Sequence, residues 1–506
     1  MPTGRQDERE GPDSGPHLVS GIRGRIMLAL EGLRMNDISR VRSEAATVEK
    51  VTNHPQAQGA LSSAIGHRRH RQRRMNLAWS TSLLSKIITI GVQVLALPLV
   101  YRALGEGGYA AYAAVTASAS MLSVFNLGIG GSLVTPLTEA IARQDKREQA
   151  VLVQAGLGPL VIACVVGAAI VIPTVALLPL STLFGRVGAT GSWDLRVAAV
   201  IAVSMTLATI PLNAVGYLRQ AYQEMHLTNL LGTGFNALLL IALLVAARRT
   251  TALSVFVAIV LLIPLGYSTL NFVLLMVQRP FLLRKQKRIG WEEKRRLLVD
   301  GIRFLSAAFA PAFFFQWPVY WIARTQPVST SSLFAICIQA IILPLGFVYG
   351  FMQPLWSSTA DALAKADHHW IDGQIRKGRA LIVAVGGCAF FMYLFFGERV
   401  LHIWLRKPVT LDWQVRGLMG AYILLAMWEQ YHFYIAVGFG RLREATEAQF
   451  QRAIVFGLAV PLLTVIGGVR ALWIGMCCSI LFWTAWRLPS ILQRESRPAP
   501  TGTGGV

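Results

Sequence analysis

The sequence is built from about twelve long apolar runs, most of them near 20 residues and almost free of charged side chains. An α-helix rises 1.5 Å per residue, so a run of about 20 residues matches the roughly 30 Å hydrocarbon core of a bilayer. Unpaired backbone groups are costly in lipid, and the runs lack the alternation of barrel strands. The chain is therefore predicted to be an all-α polytopic membrane protein. The predicted spans are 77–101, 108–136, 151–178, 195–217, 227–247, 253–277, 301–323, 331–357, 380–396, 413–438, 453–468 and 472–492.

Composition supports this class, because 54% of the 506 residues are hydrophobic and only 15% are charged. The mean hydropathy is +0.49, well above that of soluble proteins. The eleventh run is short and contains Pro461, which leaves totals of eleven or thirteen spans open.

One amphipathic stretch occurs twice, which predicts an internal duplication. Residues 133–149 read LVTPLTEAIARQDKREQ, and residues 351–372 contain QPLWSSTADALAKAD. Aligning Glu139 with Asp361 also aligns Asp145 with Asp367, without a gap and at an offset of 222 residues. Each copy follows two apolar runs. We therefore predict two pseudosymmetric six-helix bundles, each with a charge-capped turn after its second helix.

The charged segments between and around the apolar runs define five predicted regions. They are a disordered basic cytoplasmic tail (1–75), an N-terminal six-helix bundle (76–278), a basic cytoplasmic linker (279–300), a C-terminal six-helix bundle (301–493) and a cytoplasmic tail (494–506). Lysine and arginine concentrate in alternate loops, so the positive-inside rule places those loops and both termini in the cytoplasm. Met75 begins a segment that would also serve as an N-terminus, which leaves the role of the tail open.

Several classes of protein are disfavoured by what the sequence contains. The net charge of +22 arises mostly between apolar runs rather than on one soluble domain, so nucleic acid is not an expected partner. The five cysteines lie within apolar runs without metal-ligand spacing, which predicts neither a disulfide nor a metal site. There is no P-loop, zinc motif or hydrolase elbow in the sequence. We expect no catalysis and no cofactor.

The first predicted span carries a polar stripe. Its residues Ser82, Lys86, Thr89 and Gln93 are spaced by four, three and four, so they share one helical face. A lysine inside a span costs roughly 2.5–3.5 kcal/mol on insertion scales, and it is expected to face water or an anionic partner. One interpretation places Lys86 in an anion-binding cavity together with Gln93. The other has Lys86 extending to the cytoplasmic headgroups.

The tenth predicted span contains Glu429 and His432, one turn apart near its middle. A buried carboxylate beside an imidazole indicates ion pairing or proton exchange. As a hypothesis, this pair, or an unpaired Glu429, couples movement of a proton or a sodium ion to transport. The alternative is a structural pair that locks two helices together.

Amides in other spans are further candidates for binding polar ligands. Asn126 precedes three closely spaced glycines in the second span, and Gln316 and Gln339 lie in the seventh and eighth. Such side chains either line a sugar-binding cavity or hold helices together. Arg303 lies at the cytoplasmic mouth of the seventh span, where an anionic head group would arrive first.

Two segments resemble a known family. The sequence LPLVYRALGEGGYAAY (97–112), followed by FNLGIGGSLVTPLTEAIARQD (125–145), is similar to the opening of bacterial polysaccharide-repeat-unit flippases. These O-antigen transporters belong to the multidrug/oligosaccharidyl-lipid/polysaccharide exporter superfamily. The stretch LPLGFVYGFMQPLWSSTADALAKAD (343–367) resembles their eighth helix and the loop after it. That family typically has an acidic residue where Asn126 stands, so no role of that position is carried over.

The resemblance implies a transporter of the bacterial inner membrane that works by alternating access. Its expected cargo is an undecaprenyl-diphosphate-linked oligosaccharide for cell-surface polysaccharide such as lipopolysaccharide O-antigen. A cavity with Lys86 and Arg303 would bind the diphosphate while the isoprenoid tail stayed in membrane lipid. Two alternatives remain open: a cation-coupled multidrug antiporter of the same superfamily, and a non-transporting scaffold for cell-envelope assembly.

Overall fold

The computed structural model describes residues 55–189, 192–284, 295, 299, 301, 313–352, 354–364 and 367–495, and within these the regular structure is helical. The chain divides into two compact units, Met1–Leu77 and Ala78–Val506. In chain order the helices are α1 (Pro55–Met121), α2 (Ile129–Ala142), α3 (Lys146–Leu177), α4 (Leu180–Gly188), α5 (Trp193–Ala221), α6 (Met225–Arg249), α7 (Leu253–Gln278), α8 (313–325), α9 (Val328–Met352), α10 (Pro354–Ala364), α11 (His368–Leu405), α12 (Trp413–Gly438), α13 (Leu442–Ile466), α14 (Gly468–Ser479) and α15 (Arg487–Glu495).

Nine helical segments in the described part of the chain are long and apolar enough to cross a membrane. The prediction of an all-α polytopic membrane protein is therefore confirmed. The first of these segments, Ser85–Asn126, has 42 residues and contains most of the first predicted span and most of the second. Gly105 separates the two, because its φ of 69° and ψ of −175° are incompatible with a continuous helix.

Buried side chains form two hydrophobic cores. The first draws mainly on α1 to α7 and includes Leu133 and Leu218, both fully buried. The second draws mainly on α8 to α15 and includes Leu472 and Trp473, but Val100 of α1 also enters it. Lipid tails are as apolar as these side chains, so close packing, more than exclusion of water, holds such cores together.

Each copy of the duplicated stretch contains an aspartate that caps the next helix. Asp145 accepts hydrogen bonds from the backbone N–H groups of Arg147 and Glu148, which caps the start of α3. Asp367, its aligned counterpart, accepts from the N–H of Trp370 and caps α11. Each aspartate satisfies donors that a helix leaves unpaired at its first turn. We call the end of the bundle where α3 and α11 begin the turn end.

The opposite end lies where α3 and α11 finish, at Leu177 and Leu405. Two arginines that the sequence places at equivalent repeat positions, Arg102 and Arg324, both make contacts there, and we call it the arginine end. The predicted basic linker, Arg303 and the first 54 residues of the predicted tail fall largely or wholly outside the described residues.

Candidate functional site

A polar pocket of about 260 Å³ lies between α1, α6 and α7. Apolar side chains supply most of its surface, and hydroxyl and amide groups supply the polar part for which we name it. The lining residues are Ser85, Thr228, Asn229, Gly232, Phe235, Asn236, Leu239, Ile263, Pro264 and Tyr267. Pro264 lies inside the continuous helix α7 and lines this pocket, in keeping with the tolerance for proline where a span faces a polar cavity.

One member of the predicted polar stripe anchors the pocket wall. The amide nitrogen of Asn236 donates to the hydroxyl of Thr89 at 2.8 Å, which ties α6 to α1. Tyr267 donates from its hydroxyl to the carbonyl of Thr228 at 3.3 Å and so fixes α7 against α6. The Thr228 hydroxyl itself is buried and has no hydrogen-bond partner in the described structure, so it is an unsatisfied polar group beside the pocket.

Lys86 and Gln93 lie outside this wall. Both side chains are exposed, and neither is among the residues that line the pocket. Lys86 follows the pocket residue Ser85 directly, so a helical rotation of about 100° separates the two side chains. The lysine is thus near the pocket, on an exposed face of α1.

Asn126 sits at a break in the second span. It ends a short 3-10 segment, Leu122–Asn126, and Leu127 then adopts a left-handed φ of 51° before α2 begins. The break is packed closely, because a Cβ added to Gly301 would lie 2.6 Å from the Leu127 carbonyl oxygen. Interrupted helices with this kind of support occur at transport sites in membranes, which keeps the half-buried Asn126 a candidate.

Glu429 is paired with an arginine rather than with His432. Its Oε2 accepts a hydrogen bond from Nη1 of Arg452 on α13, and the two side chains are only 6% and 4% exposed. The guanidinium carbon also lies 3.5 Å from the ring centre of Phe314. A carboxylate in this position is neutralised by a cation of the protein itself.

His432 has a separate set of partners. Its Nε2 accepts from Nε of Arg379 on α11 at 3.0 Å, and its Nδ1 lies 2.8 Å from the carbonyl oxygen of Trp428. A ring nitrogen that accepts from a guanidinium carries no proton, so the imidazole is neutral with its proton on Nδ1. The Trp428 and His432 rings are 4.3 Å apart. Histidine here connects α11 to α12.

Gln316 and Gln339 are half-buried on α8 and α9, away from the residues that line the polar pocket. Arg303 lies outside the described residues. In the described part of the chain, no group of three or more histidine, cysteine or acidic side chains converges as metal ligands would.

Sequence reasoning missed Arg379 and Arg452 because both were assigned to loops. The ninth and eleventh predicted spans begin at 380 and 453, one residue after each arginine. In the structure α11 and α13 begin 10 or more residues earlier, so both arginines lie inside helices. For Arg452 the signal is helical spacing, because it follows Ala445 and Ala448 by seven and four residues on the buried side of α13.

Comparisons with known proteins place the fold. No family model matches this sequence, and no curated protein matches it. The fold is nevertheless shared with solved transporters at low sequence identity. An inward-facing multidrug resistance MATE family transporter of the MOP superfamily has a TM-score of 0.64 at 11% identity, covering 81% of this chain and 96% of that chain.

An outward-facing structure, also of a multidrug resistance MATE family transporter, gives a TM-score of 0.56 at 13% identity, covering 83% and 96% of the two chains. A MOP superfamily transporter from Pyrococcus furiosus, described as having a binding pocket of reversed polarity, gives 0.51 at 16% identity, covering 84% and 94%. The chain therefore has the MATE-like fold of the MOP superfamily transporters.

Proposed function

We propose that this chain moves a lipid-linked oligosaccharide, an undecaprenyl-diphosphate sugar, across the bacterial inner membrane by alternating access. The observation that carries the proposal is the polar pocket between α1, α6 and α7. Its lining residues contain three hydroxyl groups and two amides and no carboxylate. Sugar hydroxyls both donate and accept hydrogen bonds, and hydroxyl and amide side chains match that chemistry.

The charge balance of the C-terminal half supports the same cargo. Glu429 is the buried carboxylate of α12, and Arg452 neutralises it. A small organic cation entering this region would have to displace a guanidinium that is already hydrogen-bonded, which is unfavourable in a low-dielectric setting. A neutral glycan carries no such penalty. Lys86, which is exposed beside the pocket, would bind the diphosphate.

We further propose the orientation and the half boundaries of the sequence analysis. Basic residues concentrate at the turn end, so that end would face the cytoplasm, together with both termini. Residues 76–278 and 301–493 would form the two moving halves. The higher TM-score against the inward-facing structure, 0.64 compared with 0.56 for the outward-facing one, supports a conformation open at the turn end.

A multidrug antiporter is the second candidate, since two of the similar structures are described as multidrug resistance transporters. In that case Glu429 would bind a proton or sodium ion, and His432 would assist. The neutral pocket lining is the feature that favours the glycan carrier over this alternative.

A reconstitution experiment separates the two candidates. Full-length protein in vesicles is given a fluorescent undecaprenyl-diphosphate oligosaccharide in one arm and a cationic dye with a proton or sodium gradient in the other. The proposal expects translocation of the glycolipid and no gradient-driven dye export. Dye export without glycolipid movement would instead establish the antiporter.

Two amide variants test the pocket directly. Asn229→Leu removes a polar group from the lining and is expected to slow glycolipid translocation. Gln220→Leu makes the same chemical change at an exposed position of α5 outside the lining, and it should leave the rate unchanged. Equal rates for both variants and the parent protein would exclude this pocket as the glycan site.

A further inference from the structure

Two arginines at equivalent positions of the duplicated unit each reach into the opposite half at the arginine end. Arg102 and Arg324 are separated by 222 residues, the offset of the duplicated turn, and so are their acceptors, Leu183 and Leu405. Arg102 donates from Nε and Nη2 to the Leu405 carbonyl oxygen, both at 3.3 Å. Arg324 donates from Nη1 to the Leu183 carbonyl oxygen at 3.0 Å. The contact is therefore reciprocal.

Both carbonyl oxygens are available because a helix stops beside each of them. Leu405 is the last residue of α11, and Arg406 after it has a left-handed φ of 52°. Leu183 lies two residues before Gly185, whose φ of 57° breaks α4. Carbonyl groups in the last turn of a helix have no partner within that helix, and a guanidinium satisfies them from outside.

We propose that Arg102 and Arg324 form a paired latch that closes the arginine end and that both contacts break when that end opens. This rests on the proposed alternating access. Each guanidinium belongs to one half and each acceptor to the other, so any rotation that separates the halves at this end breaks both contacts together. Hydrogen bonds with a charged donor are strong enough for each to shift the opening equilibrium by roughly ten- to a hundredfold.

The two sides of the latch are unequal. Tyr320 donates to the same Leu183 carbonyl at 2.7 Å, which adds a second bond on the Arg324 side. The backbone is also in close contact there, since a Cβ on Gly185 would lie 2.4 Å from the Arg324 carbonyl oxygen. Arg102 is exposed and makes longer bonds. The Arg324 side is therefore expected to contribute more to closure.

A cysteine between the halves reports opening of the arginine end. Val328 is half-buried on α9, and a Cβ on Gly107 of α1 would lie 3.8 Å from its Cγ1. Val328→Cys is introduced into full-length protein whose native cysteines are replaced, and the rate of its reaction with a water-soluble maleimide is measured in lipid nanodiscs. That rate is proportional to the open fraction when opening is fast.

Arginine variants give the first test. Arg324→Gln is expected to raise the labelling rate roughly ten- to a hundredfold, and Arg102→Gln to raise it by less. Arg399→Gln is the matched control, because Arg399 is an exposed arginine of α11 near the same end. Its side chain makes no hydrogen bond or ion pair within the described part of the chain. It should leave the rate unchanged.

Glycine variants test the latch without removing a donor. Gly185→Ala forces a Cβ against the Arg324 backbone of the other half, and it should also raise the labelling rate. Gly105→Ala introduces the same kind of positive-φ strain, but its Cβ would meet nothing within 4 Å. Gly105→Ala should therefore leave Val328→Cys as protected as in the parent.

The latch is overturned if neither arginine variant changes the labelling rate, or if Arg399→Gln changes it as much. A second cysteine at Ala199, 2% exposed in the N-terminal core, reports general loosening of the fold. Parallel labelling of Ala199→Cys would also overturn the latch, since unfolding would then explain the result. If labelling responds as expected but the parent protein does not translocate the glycolipid, the latch stands and the proposed cargo fails.

Discussion

Replacing Glu429 with glutamine is expected to destabilise the C-terminal half by about 3–5 kcal/mol, the usual cost of removing one partner from a buried ion pair. The side chains of Glu429 and Arg452 are 6% and 4% exposed, so water cannot replace the lost carboxylate. Arg452 would keep its contact with the Phe314 ring at 3.5 Å, a cation–π interaction worth about 2 kcal/mol when desolvated. That contact does not compensate for an unpaired buried charge.

The assay is thermal unfolding of the purified full-length protein in detergent. A shift of roughly 2–4 °C per kcal/mol applies to a unit of 150–250 residues, so Glu429→Gln should lower the Tm by roughly 6–20 °C. The double variant Glu429→Leu with Arg452→Met removes both charges and keeps the volume. It should recover most of the loss, because apolar replacement of a whole buried pair is often neutral or stabilising.

Either of two results would refute this account of the pair. A Tm for Glu429→Gln within about 2 °C of the parent, less than 1 kcal/mol on the same scale, would mean that Glu429 is not the counter-charge Arg452 requires. A double variant no more stable than the single would mean that the charge itself is not the cause. Transport in the stable double variant then tests coupling: full gradient-dependent activity would exclude Glu429 from that role.

Three further predictions concern single residues. Lys86→Ala should reduce glycolipid translocation roughly ten- to a hundredfold without reducing membrane insertion, because it removes a cation suited to a diphosphate; unchanged translocation would take Lys86 out of the site. Gly420→Ala should cost about 1–3 kcal/mol in thermal unfolding, since its Cβ would lie 2.8 Å from the Phe390 backbone, whereas Gly387→Ala on α11 meets nothing within 4 Å and should cost nothing. Asp145→Ala should remove the cap of α3 and cost about 1 kcal/mol, seen as a lower Tm.

The fold was largely predictable because membrane helices can be recognised from the local composition of the sequence. Runs of about 20 apolar residues need no long-range information to be recognised. The duplication was also visible in the sequence, and the aligned residues Asp145 and Asp367 each cap a helix. Helix ends were less predictable, since polar residues extend α11 and α13 well beyond their apolar centres.

The candidate site was only partly predictable because its contacts join distant parts of the chain. The polar stripe of α1 includes Thr89, but its hydrogen-bond partner Asn236 lies 147 residues away in the sequence. The same holds for Glu429, whose arginine is on the following helix. Spacing along one helix identifies a polar face, but it does not identify what that face meets across a bundle.

Equivalent positions in the two halves carry side chains of different chemistry. α6 (Met225–Arg249) and α13 (Leu442–Ile466) have 25 residues each and follow left-handed turn residues at Gln223 and Gly440. Aligning these turns places Arg452 at the position of Phe235, which lines the polar pocket of the N-terminal half. At this position α6 contributes a phenylalanine that lines a pocket, whereas α13 contributes an arginine that pairs with the buried Glu429.

This difference indicates that the ends and the interiors of the two halves have separate roles. An arginine contact, to Leu183 or Leu405, and an aspartate cap occur in both halves, and they act at the ends, where a symmetric motion needs corresponding contacts. The interiors need no such symmetry. We expect substitutions at the pocket residue Asn229 to alter which cargo is moved, and substitutions at Arg102 or Arg324 to alter how readily the arginine end opens for any cargo. Identical effects of both kinds of variant on every cargo would contradict this separation.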